Sequence, residues 1–80
     1  MPDDEVANAF RAAMRLEKGF LLRDDMSFDN VPGWDSVGHM GLITELERRF
    51  AIVLDMDEIV AIDSVGAVRA IVARKQARPH

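Results

Sequence analysis

The chain contains no cysteine. That absence excludes a disulfide framework, a thiolate zinc site and a cysteine nucleophile within the polypeptide, so any thiol chemistry requires an added group. Also missing is an unbroken apolar stretch long enough to span a bilayer, in a sequence that is 49% hydrophobic and 30% charged. The first residues, Met1-Pro2-Asp3-Asp4-Glu5, are acidic with no apolar run behind a basic region, so no signal peptide is expected and the cytoplasm is the expected compartment. Strand signals are nearly absent: Ala51-Ile52-Val53-Leu54 is the only apolar β-like run, and one short strand has nothing to pair with. It reads better as a link packed into a helical core.

Eighty residues make one small domain. A chain of this size buries only about 60% of the surface its unfolded form exposes, which disfavours a deep, many-walled enzymatic cleft. Charge is unevenly distributed: all 14 acidic residues lie at or before Asp63 together with six of the ten basic ones, a local −8. Arg69, Arg74, Lys75 and Arg78 follow without an acid. An acidic body repels phosphate backbones and attracts basic protein surfaces, so protein partners are expected and nucleic acid is not; a helix-turn-helix DNA binder would need the opposite sign.

Hydrophobic spacing gives four helices. Asp3 to about Lys18 carries Val6, Ala9, Phe10, Ala13, Met14 and Leu16 on one face, with Arg11, Arg15 and Lys18 opposite. From Gly19 to Trp34 turn chemistry takes over, and Phe20, Leu22, Met26 and Phe28 are the expected anchors of a long ordered loop. Ser36 to Phe50 is the second helix, Met56 to Ala61 a short third, and Ser64 to about Lys75 the fourth, with the stripe Val65, Val68, Ile71 and Val72. The expected architecture is an all-α four-helix bundle over residues 1–75. A short basic tail, residues 76–80, is expected to be disordered.

On the second helix Leu42, Ile43, Leu46 and Phe50 form the core stripe, whereas Val37 and Met40 fall outside it, beside Ser36. Such a patch suits docking, against the plainer alternative that a neighbouring element covers it. Gly38 and Gly41 each cost roughly 1 kcal/mol in a helix, which close approach of another molecule or tight internal packing would explain. His39 projects toward the core and reads as a packing histidine rather than a base for Ser36, because a serine nucleophile also needs an orienting acid and an oxyanion site.

The string Asp35-Ser36-Val37-Gly38 recurs as Asp63-Ser64-Val65-Gly66, each copy opening a helix where aspartate or serine can cap amides. Val65 belongs to its helix's core stripe and Ser64 follows a short helix closely. Val37 lies off its own stripe, and a long loop leads to Ser36. An amide-rich helix start also favours a bound phosphate ester. Ser36 is therefore the better attachment point and Ser64 the better simple cap.

At these residues the chain resembles the acyl carrier protein family, whose motif is Asp-Ser-Leu at the start of a second helix; Asp35-Ser36-Val37 fits it. The likeness runs from Val6 to Lys75 through Phe28, Gly33-Trp34, Glu45-Leu46-Glu47 to Phe50, the short third helix and Ser64-Val65. It implies 4′-phosphopantetheine on Ser36, transferred from coenzyme A by a magnesium-dependent phosphopantetheinyl transferase, with Asp35 supporting the motif. It implies a non-catalytic, monomeric carrier of acyl thioesters that meets acyl-loading, condensing or transferring enzymes through Val37, Met40, Glu45 and Glu47. It implies no catalytic residue and no resident metal. Gly38, Gly41 and Arg48-Arg49 depart from the acidic run of many fatty-acid carriers, and the Gly33-Trp34-Asp35-Ser36 lead-in resembles standalone carriers of polyketide, peptide-hybrid or specialised lipid pathways. The alternative is a small helical interaction module that docks through Val37 and Met40 with Ser36 unmodified.

Overall fold

The structure, a computed structural model, describes residues 4–77. Four helices follow one another: α1 (Glu5–Met14), α2 (Ser36–Phe50), α3 (Met56–Ala61) and α4 (Val65–Ala77). Among the described residues the only β-type pairing is an isolated antiparallel bridge between Ser27 and Ser64. The all-α bundle with a long first loop and a short third helix is thus observed.

Each helix begins and ends for local reasons. The Asp4 carboxylate accepts from the Ala7 amide to start α1, and Glu5 sits at the positive end of the helix dipole. Arg15 then turns left-handed (φ 54°), and its amide bonds the Arg11 carbonyl. The helix therefore stops at Met14, short of the Lys18 expected from spacing, yet Leu16 still folds back against the core. Ala51 ends α2 in the same left-handed way, and the link that follows forms no strand: Leu54 is buried, Ile52 packs at the core edge and Val53 stays exposed. Asp55 and Glu58 form a reciprocal capping box on α3.

The apolar faces meet in one core, with Phe10, Leu42, Leu46, Val65 and Val68 among its fully buried side chains. Burying each such side chain contributes roughly 1.5–3 kcal/mol, and these contacts carry most of the fold's stability. Every member of the expected fourth-helix stripe is buried. By contrast α3 buries none of its own residues. Ile59 packs on the core from a partly exposed position, and polar ties add to it: Lys75 Nζ lies 2.7 Å from Glu58 Oε1 and Arg74 lies 3.5 Å from Glu58 Oε2. Lys75 sits close enough to hold the Glu58 carboxyl below the usual range, helped by the Asp55 amide. α4 continues to Ala77, into the segment expected as a basic tail, and residues 78–80 lie outside the described residues.

The loop, residues 15–35, is ordered by anchors only partly foreseen. Leu22 and Met26 pack on the core and Phe20 is half-buried, but Phe28 is 44% exposed. The deep anchors are Val31 and Trp34, 2% and 3% exposed, on either side of the turn at Gly33 (φ 85°). Loop carbonyls also receive the first amides of α4: Val65 donates to Met26 and Gly66 to Asp24, each at 2.9 Å. Arg69 of α4 bridges the Asp24 carboxylate at 2.8 Å and that of Asp4 at 2.7 Å.

Candidate functional site

The two Asp-Ser-Val-Gly copies adopt different registers. In the first, Asp35 is the cap: its Oδ1 accepts from the Gly38 amide at 2.9 Å, and Ser36 becomes the first helical residue. In the second the serine caps, with Ser64 Oγ accepting from the Ala67 amide at 3.0 Å. Ser64 is therefore bound in its own helix start, as expected of a simple cap. Ser36 is exposed, and its hydroxyl and amide, like the Val37 amide, make no hydrogen bond among the described residues. The opening of α4 has no such vacancy, because loop carbonyls and Ser64 take the amides of residues 65–67.

Why the first copy shifts is visible one residue upstream. Trp34 is buried edge-on against Phe10, with ring centroids 5.0 Å apart, and the Gly33 turn places the Gly33 carbonyl where a Cβ on residue 38 would lie. Internal packing, not an approaching molecule, therefore explains Gly38. Gly41 differs: a methyl there would rest at 3.6 Å from Ala13 Cβ, an ordinary contact.

Beside Ser36 runs a groove of about 610 Å³ between α2 and α3, walled by Phe28, Trp34, His39, Met40, Ile59 and Val60. Asp35 and Ser36 complete its rim near the buried Ile62. Phe28 lies over Trp34 with centroids 4.6 Å apart, so this loop ring lines the site more than it pins the core. His39 spans the groove floor: Trp34 Nε1–H donates to its Nδ1 at 2.9 Å, and its Nε2 lies 2.9 Å from the Ile59 carbonyl. With Nδ1 accepting, Nε2 carries the proton. Both ring nitrogens are engaged, and neither is free to take a proton from Ser36.

The remaining residues named from sequence fall into two pairs. Val37 and Met40 are exposed beside Ser36, at 82% and 54%. Glu45 and Glu47 lie farther along α2 and make internal bonds. One Glu45 oxygen receives Arg48 at 2.7 Å and Arg49 at 3.0 Å, and Arg49, with Arg48, holds that carboxyl below the usual range. Glu47 Oε2 accepts the Leu54 amide at 3.0 Å, fastening the link after α2. Sequence reasoning missed Val60, 74% exposed on α3 and part of the same groove; its signal, an apolar residue off the short helix's inner face, was too brief to read.

Solved structures supply geometric comparisons. The solution structure of a holo acyl carrier protein from Geobacter metallireducens superposes with a TM-score of 0.83 and 29% identity, covering 94% of this chain and 85% of that one. A structure from Mycobacterium tuberculosis, described as a candidate acyl carrier protein, gives a TM-score of 0.75 and 28% identity over 86% of this chain and 90% of that one. The chain thus has the fold of the acyl carrier proteins. No family model matches the sequence, and no curated relative does. The likeness to acyl carrier proteins stands on three-dimensional agreement over most of the chain, and in this chain Ser36 opens the second helix. No helix among the described residues is long and apolar enough to cross a membrane.

Proposed function

We propose that this carrier holds acyl groups as thioesters on a 4′-phosphopantetheine arm attached to Ser36 and presents them to acyl-loading, condensing or transferring enzymes. The observation that carries the reading is the state of Ser36. Its hydroxyl is exposed and unbonded, beside two free amides at a helix start and at the rim of an apolar groove. These groups fit a phosphodiester: the amides suit its charge, and the open position leaves room for an arm. Loading would join the Ser36 oxygen to the β-phosphorus of coenzyme A. The hydroxyl proton passes to a base of the transferase, and adenosine 3′,5′-bisphosphate leaves. The arm supplies the thiol that the chain lacks.

In this reading the chain performs no catalysis. Asp35 acts by fixing the helix start, and Val37 and Met40 form the near part of the partner face, with the outer oxygens of Glu45 and Glu47 at its far edge. We place the carrier in the cytoplasm as a monomer, serving a polyketide, peptide-hybrid or specialised lipid pathway, in keeping with the Gly33-Trp34 lead-in and the arginines on α2.

Incubation of the full chain with coenzyme A, magnesium and a broad-specificity phosphopantetheinyl transferase tests the assignment. Intact mass should rise by one phosphopantetheine, and Ser36→Ala should abolish the rise. An unchanged mass in the unaltered chain sinks the proposal. It would leave the interaction-module reading, in which a partner survives Ser36→Ala and is lost on Met40→Asp.

A further inference from the structure

An arm on Ser36 starts at the rim of the groove between α2 and α3, and an apolar group at its end gains by leaving water there. How deep that group can go is set by the floor. His39 lies across it: one ring nitrogen accepts from Trp34 and the other meets the Ile59 carbonyl, each at 2.9 Å, so a side chain of α2 is tied to the backbone of α3 where the two helices would have to part. Two aromatic rings back it. Trp34 stacks on the imidazole with centroids 6.1 Å apart and planes 15° from parallel, and the Phe28 centroid lies 5.6 Å away.

The floor cannot yield piece by piece. Trp34 is 3% exposed and set edge-on against Phe10, so it has no open space to retreat into. Lifting the imidazole away leaves an indole N–H and a carbonyl without partners, which outweighs the burial of a methylene or two. Leu42 and Leu46, farther along the same side of α2, are fully buried, and a chain pushed past the ring would have to displace packed side chains as well. Above the ring the situation is different. Met40 and Val60 line the same groove and are exposed, and a short or compact group can lie against them without breaking a bond.

We propose, resting on the carrier reading, that His39 is a crossbar closing the way from this groove into the core. It thereby suits the chain to short or compact acyl groups: these are sheltered in the groove, whereas the far end of a long straight chain stays in water.

A series of acyl groups of increasing length tests this. Acetyl-, hexanoyl-, dodecanoyl- and hexadecanoyl-coenzyme A, used with the broad-specificity transferase, place each thioester on the full chain, and intact mass confirms each product. Melting temperatures, taken relative to the chain bearing the bare arm, should level off by hexanoyl, with hexadecanoyl within about 2 °C of it, because methylenes beyond the groove gain no burial. In His39→Ala the ring is gone and a passage opens. The same difference should then reach about 5 °C or more, the size expected when about two further methylenes are buried. Comparing acyl forms of one variant cancels any general loss of stability from the substitution. In the unaltered chain the ring also reports directly: the His39 Nε2–H signal should keep its hydrogen-bonded position in the hexadecanoyl form. A melting temperature that climbs steadily with length in the unaltered chain, or loss of that signal on loading hexadecanoyl, overturns the proposal, and neither result depends on how His39→Ala folds. A flat series in a folded His39→Ala chain overturns it too, since something other than the ring then bars the way. A chain whose mass rises with none of these thioesters ends the carrier reading itself; one that loads but shelters long chains ends only this inference.

Discussion

Trp34 Nε1–H donates to His39 Nδ1 at 2.9 Å, and through that bond a buried loop residue sets the proton position on a helix residue. An indole can only donate, so Nδ1 must accept and the imidazole is neutral with its proton on Nε2, directed at the Ile59 carbonyl. Loop, α2 and α3 are joined by one ring. Because α3 has no fully buried residue and meets the core through partly buried Ile59, this tie and the Glu58 contacts add to its hold on the bundle.

His39→Leu should therefore destabilise the chain by about 1–3 kcal/mol, since it fills similar space but leaves the buried indole N–H without an acceptor. Thermal unfolding gives the magnitude. Nitrogen chemical shifts of the unaltered ring should show the Nε2–H tautomer at neutral pH; an Nδ1–H tautomer contradicts the arrangement.

Two glycines of α2 should respond oppositely to alanine. At residue 38 the new methyl would overlap the Gly33 carbonyl, a backbone atom fixed by the turn before Trp34, and a loss of about 1–3 kcal/mol is expected. At residue 41 the methyl meets only Ala13 at ordinary distance, so removing a helix-interior glycine should raise stability by about 0.5–1 kcal/mol. Urea midpoints of Gly38→Ala and Gly41→Ala read both signs directly.

How far the sequence reveals this molecule depends on whether a residue belongs to a repeating pattern. Val65, Val68, Ile71 and Val72 recur at helical spacing and are all buried, and Leu42, Ile43 and Leu46 behave alike. Val31 and Trp34 anchor an irregular loop, where burial has no period to betray it; of the expected anchors Phe20, Leu22, Met26 and Phe28, Leu22 and Met26 pack on the core and Phe28 stays 44% exposed. The caps show a second limit. Identical tetrapeptides cap through aspartate in one copy and serine in the other, because the Gly33 turn precedes one and the Asp24 and Met26 carbonyls cover the other. Contacts between distant segments decide that choice. The exposed positions of Val37 and Met40 were legible from α2 alone, whereas the engagement of Glu47 by the Leu54 amide depends on a chain reversal that spacing does not encode.

Arg69 should stabilise the fold at neutral pH by an amount that acid removes. It hydrogen-bonds Asp4 and bridges Asp24, and this contact is the main cause of a lowered Asp4 pKa. A carboxylate whose folded pKa lies below its unfolded value stabilises the fold above that unfolded value, about 3.9 for aspartate, and the stabilisation is lost as pH falls through the folded value. Arg69→Gln should thus lower the melting temperature at pH 7, by an amount equivalent to less than about 1 kcal/mol because the pair is partly exposed. The gap from the unaltered chain should narrow as pH falls past the unfolded aspartate value and through the lower folded one, where Asp4 takes up its proton. A gap that is constant from pH 7 to pH 2 would assign the effect to packing instead.

The two serines offer the sharpest separation of roles, because the same substitution in the same tetrapeptide should move different observables. Ser64→Ala removes the oxygen that accepts from the Ala67 amide and should cost about 1 kcal/mol, while phosphopantetheine loading continues unchanged. Ser36→Ala removes a hydroxyl that bonds nothing among the described residues, so stability should stay within about 0.5 kcal/mol while loading disappears. Melting temperature and intact mass, measured on both variants, give four results. A large stability loss at Ser36 would show that its hydroxyl does structural work that the geometry around Asp35 leaves to the aspartate. Continued loading of Ser36→Ala would move the attachment elsewhere, and Ser64, already held in its cap, could receive an arm only by giving up the bond that starts α4.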